Sequence, residues 1–375
     1  MYPFPEKLQK KIVERKQTNS LRIVSDFKNK IDFSSNDYLG FSRNKTISKG
    51  TLEILKKFSF TNGSTGSRLV SGTHMLHEIV EKKLSEFHNT EAALLFNSGY
   101  DANLGLFSSI LQKGDTVLYD ELIHASIRDG IRLSNAKSYK FKHNSLKGLE
   151  KIFSKCEGNI YIAVESIYSM DGDTAPLKEI ANFSKKHKCY LIVDEAHSNG
   201  VFGTKGKGLV QELNLENDVF ARVHTFGKAL GCHGAVVLGS QELRDYLINF
   251  SRSFIYTTAA SIHSIAVVYA AYQELENTDA IEKLKNNIQY FNTKISTNNL
   301  HALFIESTSA IHCCILSGND KVKAVSKKLQ TKGFDIKPIL TPTVPKGEER
   351  LRICLHSYNT LEEIEELIRL LSKFV

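Results

Sequence analysis

Residues 221–240 read ARVHTFGKALGCHGAVVLGS: two short apolar runs separated by a loop that holds one lysine. The runs have the length and β-branched content of buried strands. Lys228 is enclosed by Phe226, Gly227, Ala229, Leu230 and Gly231. A lysine normally keeps its ammonium in water, so this one either snorkels outward or has a depressed pKa. The second is what an imine-forming lysine needs. A glycine-flanked surface lysine in a turn fits the octapeptide HTFGKALG equally well, and only the rest of the chain separates the two.

Outward from this stretch, strands and helices alternate, the pattern of a parallel sheet covered on both faces. A helix-like start, KLQKKIVERK, precedes the apolar segment LRIV and IDFSSNDYLG. The Gly/Ser/Thr-rich TNGSTGSRLVSGT leads into the amphipathic HEIVEKKLSEFH. AALLF, TVLYD, NIYIAVES, CYLIVDEAH, VFARVHTF and GAVVLG follow as strand candidates, giving a sheet of six or seven mostly parallel strands. SIHSIAVVYAAYQELENT reads as a bridging helix to a second, smaller domain with strands near AIHCCILS and ERLRICLH and the terminal helix TLEEIEELIRLLSKFV. The boundaries expected are an N-terminal arm over 1–37, a large domain over 38–272 and a small domain over 273–375.

Composition limits the function classes. With 375 residues, 41% hydrophobic and 24% charged, the chain reads as a soluble globular protein of two domains. Lys and Arg outnumber Asp and Glu by 49 to 41, a net +8, but Lys7, Lys10, Lys186 and Lys327 are scattered rather than gathered into an arm or tail. This favours a solvated surface drawn to anionic substrates over a nucleic-acid partner. The six cysteines form no C-x-x-C pair and no Cys/His cluster at zinc-ligand spacing, so we expect reduced thiols and no metal. No run approaches the roughly 20 apolar residues of a membrane span, which points to a cytoplasmic protein.

In an open parallel sheet, ligands collect at the carboxyl ends of the strands. Four places stand out there: Asp194 with Glu195, Ala196 and His197; Asn97, Ser98, Gly99 and Tyr100; the segment holding His124; and Lys228. Each has a plain alternative. Asp194 suits a helix cap, Ser-Gly is a common turn, and His124 taken alone suits a structural hydrogen bond. Together at one sheet edge they make a phosphate cradle, an aromatic face, a carboxylate and an imine-competent lysine, the four parts pyridoxal 5'-phosphate (PLP) needs. Lys228 would hold the cofactor aldehyde and Asp194 would keep the pyridine nitrogen protonated. His124 could stack on the ring, with Ser98, Gly99 and Tyr100 around the phosphate or its edge.

Across NDYLG, GSTGSRLVSGTHMLHE, NSGYDAN, DELIHASIRDG, ESIYSMDGDTAPL, VDEAHSNGVFG, TFGKALG and RLRI the chain resembles the α-oxoamine synthase family. The resemblance implies a fold type I PLP-dependent transferase: a mostly parallel seven-stranded sheet flanked by helices, with a smaller C-terminal α+β domain. It implies condensation of an amino acid with an acyl thioester and loss of carbon dioxide. Carried over by residue, it implies Lys228 as imine lysine, Asp194 on the pyridinium nitrogen and His124 on the ring. Ser169 and His197 would lie near the phenolic oxygen, and Thr225, Ser98 and Gly99 at the phosphate. Asn36 and Arg352 would handle the amino-acid carboxylate. Thr257 and Thr258 would reach a neighbouring subunit's cofactor, which implies a homodimer with shared active sites.

The form of GSTGSRLVSG and GKALGCHGAVVLGS is most similar to the branch that joins L-alanine to a pimeloyl thioester, carried by coenzyme A or a carrier protein. A glycine C-acetyltransferase would share every cofactor residue. A nucleic-acid-binding protein would explain only the charge. One departure stands out: after RLRI, where many members have a Thr-Ala-Ala-His-like stretch, this chain has His356, Ser357, Tyr358 and Asn359.

Overall fold

The computed structural model describes residues 2–22, 24, 30–58 and 61–375. The LRIV segment includes Ile23, which lies outside the described residues. The chain divides into two units, one of Asn36–Ser169 and Thr174–Ile281, the other of Met1–Ser35, Met170–Asp173 and Glu282–Val375.

The larger unit is built on seven strands: β1 (Ala92–Phe96), β2 (Thr116–Asp120), β3 (Lys137–Phe141), β4 (Ile160–Glu165), β5 (Tyr190–Asp194), β6 (Ala221–Thr225) and β7 (Ala235–Gly239). Their spatial order is β1-β7-β6-β5-β4-β2-β3. From β6 to β3 all neighbours run parallel, and β7 is antiparallel to both β6 and β1. The inner strands are near-continuous Val, Ile, Leu and Ala because helices cover both faces. The helices Gly99–Ile110 and Ala125–Leu133 bring Leu106, Phe107, Ile127 and Ile131 into one apolar cluster with Leu94, Val117, Ile192, Val223 and Val237.

Six of these strands match the apolar runs; β3, KSYKF, does not. It is the edge strand, with three of its five residues exposed, so its lysines meet water and no hydrophobic run marks it.

The smaller unit holds an antiparallel sheet of β8 (Ile311–Ile315), β9 (Lys337–Ile339) and β10 (Arg350–Cys354), in the order β9-β10-β8. Ile31–Asp32 pairs in parallel with Phe334–Asp335, which joins the N-terminal segment to this unit. The helix Leu361–Phe374 starts at a capping box, with Thr360 bonding the Glu363 N–H and Glu363 returning to the Thr360 N–H.

The departure at 356–359 finds its physical role here. Asp32 accepts from the Ser34 and Ser35 amides at 3.0 and 2.9 Å, the Ser35 hydroxyl at 2.6 Å and the Tyr358 hydroxyl at 3.0 Å. His356 Nε2 lies 3.0 Å from the Ser35 carbonyl, and Asn359 donates to the Asp32 carbonyl. Burial pushes the Asp32 pKa up, but His356 and the serine donors outweigh it and hold the pKa at about 2. The folded value lies below the unfolded 3.8, so the stabilisation is whole above that pH and is lost as pH falls through about 2. Asp32→Asn is therefore expected to lower the melting midpoint at pH 7 by roughly 2–4 °C, with the gap to wild type closing on acidification. A gap of equal size at pH 7 and pH 2.5, read by circular dichroism, is the result that contradicts this.

Candidate active site

The carboxyl end of β1 turns directly into a helix. Ser98 is its N-cap, its hydroxyl accepting the Asp101 N–H at 3.1 Å, so the first free amides of a 12-residue helix point out of the sheet edge. A Cβ at Gly99 would lie 3.4 Å from Thr225 Oγ1 at the end of β6, in ordinary contact, so the start of this helix faces the end of that strand. Tyr100 flanks it, with its hydroxyl on Asp129 at 2.7 Å. Thr257 Oγ1 and the Thr258 carbonyl accept from Asn97, at 3.1 and 2.7 Å, and so brace this same turn within one chain.

Asp194 closes β5, 5% exposed. Its Oδ1 accepts the Ala196 N–H at 2.9 Å and its Oδ2 the Asn103 amide at 2.7 Å. Asn103 also donates to Ser126 Oγ at 3.0 Å, and Ser126 Oγ lies 2.7 Å from His124 Nδ1. His124 caps the helix Ala125–Leu133 and presents its ring to the cleft. Partial burial lowers the His124 pKa and the Lys228 charge adds to this, against the opposing pull of Asp194.

On the other flank, Lys228 Nζ sits 2.8 Å from His197 Nε2, and His197 Nδ1 sits 2.7 Å from the Tyr38 hydroxyl. That hydroxyl donates its one proton to Asn36 Oδ1 at 3.1 Å. With the Tyr38 hydroxyl so engaged, the proton between Tyr38 and His197 would belong to Nδ1, and the Nε2 lone pair would face Lys228. Phe226, Ala229 and Leu230 are buried, so the lysine enters the cleft from an apolar loop rather than from solvent.

A cavity of about 170 Å³ is lined by Gly99, Tyr100, Asn103, His124, Asp194, Thr225 and Lys228, together with Ser126, Glu165, Ala196 and Val223. The structure thus brings together Lys228, Asp194, His124, Thr225, Gly99 and Tyr100, with Ser98 as cap and His197 behind the lysine. Ser169 lies between the bridged residues Ile167 and Thr174 and is not among the residues that line the cavity. Arg352 belongs to the smaller unit, on β10 opposite Cys313, 8% exposed, with Nη1 2.9 Å from Cys354 Sγ.

Four residues of the site carry no role in the sequence reading. Glu165 pairs in register with Asp194, and burial, reinforced by the Asp194 charge, pushes its pKa well above the carboxylate range. Its position at the end of an apolar run was the available signal. Asn103, one turn into the helix after Gly99, and Ser126 and Tyr38 are joined to the site by contacts distant in sequence, which no local pattern marks.

The aminotransferase class I and II family model matches residues 28–371. The 8-amino-7-oxononanoate synthase of Emericella nidulans is 42% identical over 369 residues, covering 92% of this chain and 89% of that one. Among solved structures, the serine palmitoyltransferase of S. paucimobilis with bound PLP and myriocin superposes with a TM-score of 0.88 at 27% identity, over 98% of this chain and 96% of that one. The 8-amino-7-oxononanoate synthase of Francisella tularensis gives 0.79 at 31% identity, over 92% and 97%.

Proposed function

The chain belongs to the α-oxoamine synthase family, PLP-dependent C-acyltransferases of the class I and II aminotransferase fold, and on that premise we propose that it condenses L-alanine with a pimeloyl thioester. The products are 8-amino-7-oxononanoate, the free thiol and carbon dioxide, a step of biotin biosynthesis. The observation that carries the substrate is the 42% identity to the Emericella nidulans synthase over nearly the whole chain.

PLP is the cofactor of this family, and the donor set here suits it. The helix amides at Ser98–Tyr100 and Thr225 Oγ1 would hold the phosphate, Asp194 the ring nitrogen, and His124 the ring face. Asn103 Oδ1 is buried with no partner among the described residues, a polar atom left facing this lining. Bound there, PLP supplies an aldehyde for the lysine and a protonated ring that withdraws electrons from Cα.

The chain's own residues do the rest. To act as a nucleophile Lys228 must shed a proton, and His197 Nε2 is the acceptor 2.8 Å away. A Tyr38 hydroxyl accepting from Nδ1–H would hold that imidazole in the accepting tautomer. Once an amino acid has displaced it, the amine of Lys228 takes the Cα proton and later returns one. Asp194, bonded at both oxygens, is fixed in orientation. Asn36 and Arg352 bind the substrate carboxylate, and Thr257 and Thr258 reach the cofactor of a second copy in a homodimer. No helix among the described residues is long and apolar enough to cross a membrane.

The test is thiol release from pimeloyl-CoA by cofactor-loaded protein with L-alanine or glycine as sole amino acid. Release with L-alanine should exceed that with glycine by about tenfold or more, the discrimination an apolar pocket gains from one methyl group. Preference for glycine, or silence with pimeloyl-CoA beside activity on acetyl-CoA, would move the protein to the glycine C-acetyltransferase branch.

A further inference from the structure

Behind the sheet edge, facing away from the cavity, lies a second polar cluster. Glu195 follows Asp194 immediately and its side chain is fully buried, 0% exposed. Its Oε1 accepts the Ser198 hydroxyl at 2.8 Å and the Val210 N–H at 3.0 Å, and its Oε2 lies 3.0 Å from His224 Nε2. A Cβ at Gly208 would sit 2.7 Å from the same carboxylate, so the backbone packs directly against it. Ser198 in turn meets Ser166 Oγ at 2.9 Å, and Ser166 bonds the Asp194 carbonyl through its N–H at 2.8 Å.

Three elements converge on this one carboxylate: the turn Asp194–Asn199, the chain at Gly208–Val210, and β6 at His224. The turn carries Asp194 and His197; β6 carries Thr225 and runs on to Lys228. Two of the donors around Glu195, Ser198 and His224, are therefore one residue or one turn away from a group in the cavity. A buried carboxylate with three donors is held rigidly, because losing any one leaves a desolvated polar atom unpaired. His224 Nδ1 has no hydrogen-bond partner among the described residues, and its ring stands edge-on to His88 at 4.3 Å, so Nε2 carries the proton that Glu195 receives.

We propose that Glu195 is a positioning residue: it clamps the Asp194–Asn199 turn to β6 and so sets the distance between His197 and Lys228 and the aim of Asp194, without itself reaching the cavity. The proposal rests on the assignment of Asp194, His197 and Lys228 to the cofactor. Reach, rather than charge, is what the clamp requires. Aspartate keeps the charge but is one methylene too short to span Ser198, Val210 and His224 at once. Glutamine keeps the reach, with its oxygen on Ser198 and Val210 and its amide donating to a His224 that has moved its proton to Nδ1.

The experiment is a pH titration of the visible absorbance of the lysine-bound cofactor, without substrates, in wild type, Glu195→Asp, Glu195→Gln and Ser198→Ala, with kcat and KM measured beside it. Glu195→Asp should move the absorbance midpoint by about half a pH unit or more and lower kcat about 10- to 100-fold, the usual cost of losing a group that orients an active-site ligand. KM for the amino acid should change less than about threefold, and Glu195→Gln should restore both midpoint and kcat. The reverse order, Gln impaired and Asp normal, would make charge the operative property and overturn the clamp. So would an unmoved midpoint and kcat in Glu195→Asp. Should Glu195→Asp fail to fold, Ser198→Ala decides: it removes one of the three donors and should move the midpoint in the same direction, and wild-type behaviour overturns the proposal. The titration needs neither amino acid nor thioester, so a wrong substrate assignment leaves its outcomes intact.

Discussion

Lys228→Ala is expected to lower thiol release by on the order of 10⁴-fold, the largest effect of any single substitution in this chain. The fold should survive it. The loop is closed by backbone bonds that alanine keeps: Phe226 N–H to the Gly234 carbonyl at 2.9 Å, Cys232 N–H to Phe226 at 2.8 Å and Gly231 N–H to Lys228 at 2.9 Å. Gly231, at φ +58° and packed against the Phe41–Ser42 backbone, holds the turn independently of the lysine side chain. What disappears is the amine 2.8 Å from His197 Nε2, and with it both the proposed covalent anchor and the proposed Cα base. PLP should still bind through the helix amides, Thr225 and Asp194, but without the visible band of the lysine-bound cofactor. Absorbance after dialysis and thiol release together check this, and a variant that turns over within tenfold of wild type would remove Lys228 from the chemistry.

Asp194→Asn should cost roughly 10³-fold in kcat, in the range of losing one preorganised electrostatic partner of the transition state. The substitution isolates charge from shape. The new amide group would confront a donor, either Ala196 N–H or Asn103 Nδ2, but Asn103 can turn its unpaired Oδ1 toward it. The site therefore accommodates asparagine, and what it loses is the charge proposed to keep the ring nitrogen protonated. Removing that charge also removes one of the three influences that raise the Glu165 pKa, beside burial and Asp120, so that pKa should fall toward its ordinary value. Measured by kcat at saturating substrates with cofactor content confirmed by absorbance, a loss below tenfold would assign the pyridine nitrogen another partner.

The parts of this site legible in the sequence are those that follow an apolar run. Asp194, Ser98, His124 and Lys228 each stand where a strand ends, and strand ends in such a sheet share one edge. The same rule reaches Glu165, which closes β4 beside Asp194. It does not reach Asn103, Ser126 or Tyr38, whose importance comes from side chains meeting across long separations in sequence. Nor does hydrophobicity mark β3, since an edge strand with exposed lysines satisfies no buried face. The residues His356–Asn359 show the same limit: as letters they are a departure, and only the register of the smaller unit shows them converging on Asp32 and Ser35.

The antiparallel β7 has a consequence for how the protein is made. Lys228 lies between β6 and β7, neighbours in sequence and space, so its loop closes as soon as that short stretch has been synthesised. The phosphate cradle is different. β1, which delivers Ser98 and Gly99, finds its sheet partner only in β7, the last strand of the sheet to leave the ribosome. A nascent chain that stops before Ala235 already carries its lysine, its carboxylate and its helix amides, yet has no strand to bring them to one edge. A product truncated between Lys228 and Ala235 would hold the lysine, the carboxylate and the helix amides of the cavity without the strand that brings the cradle to them.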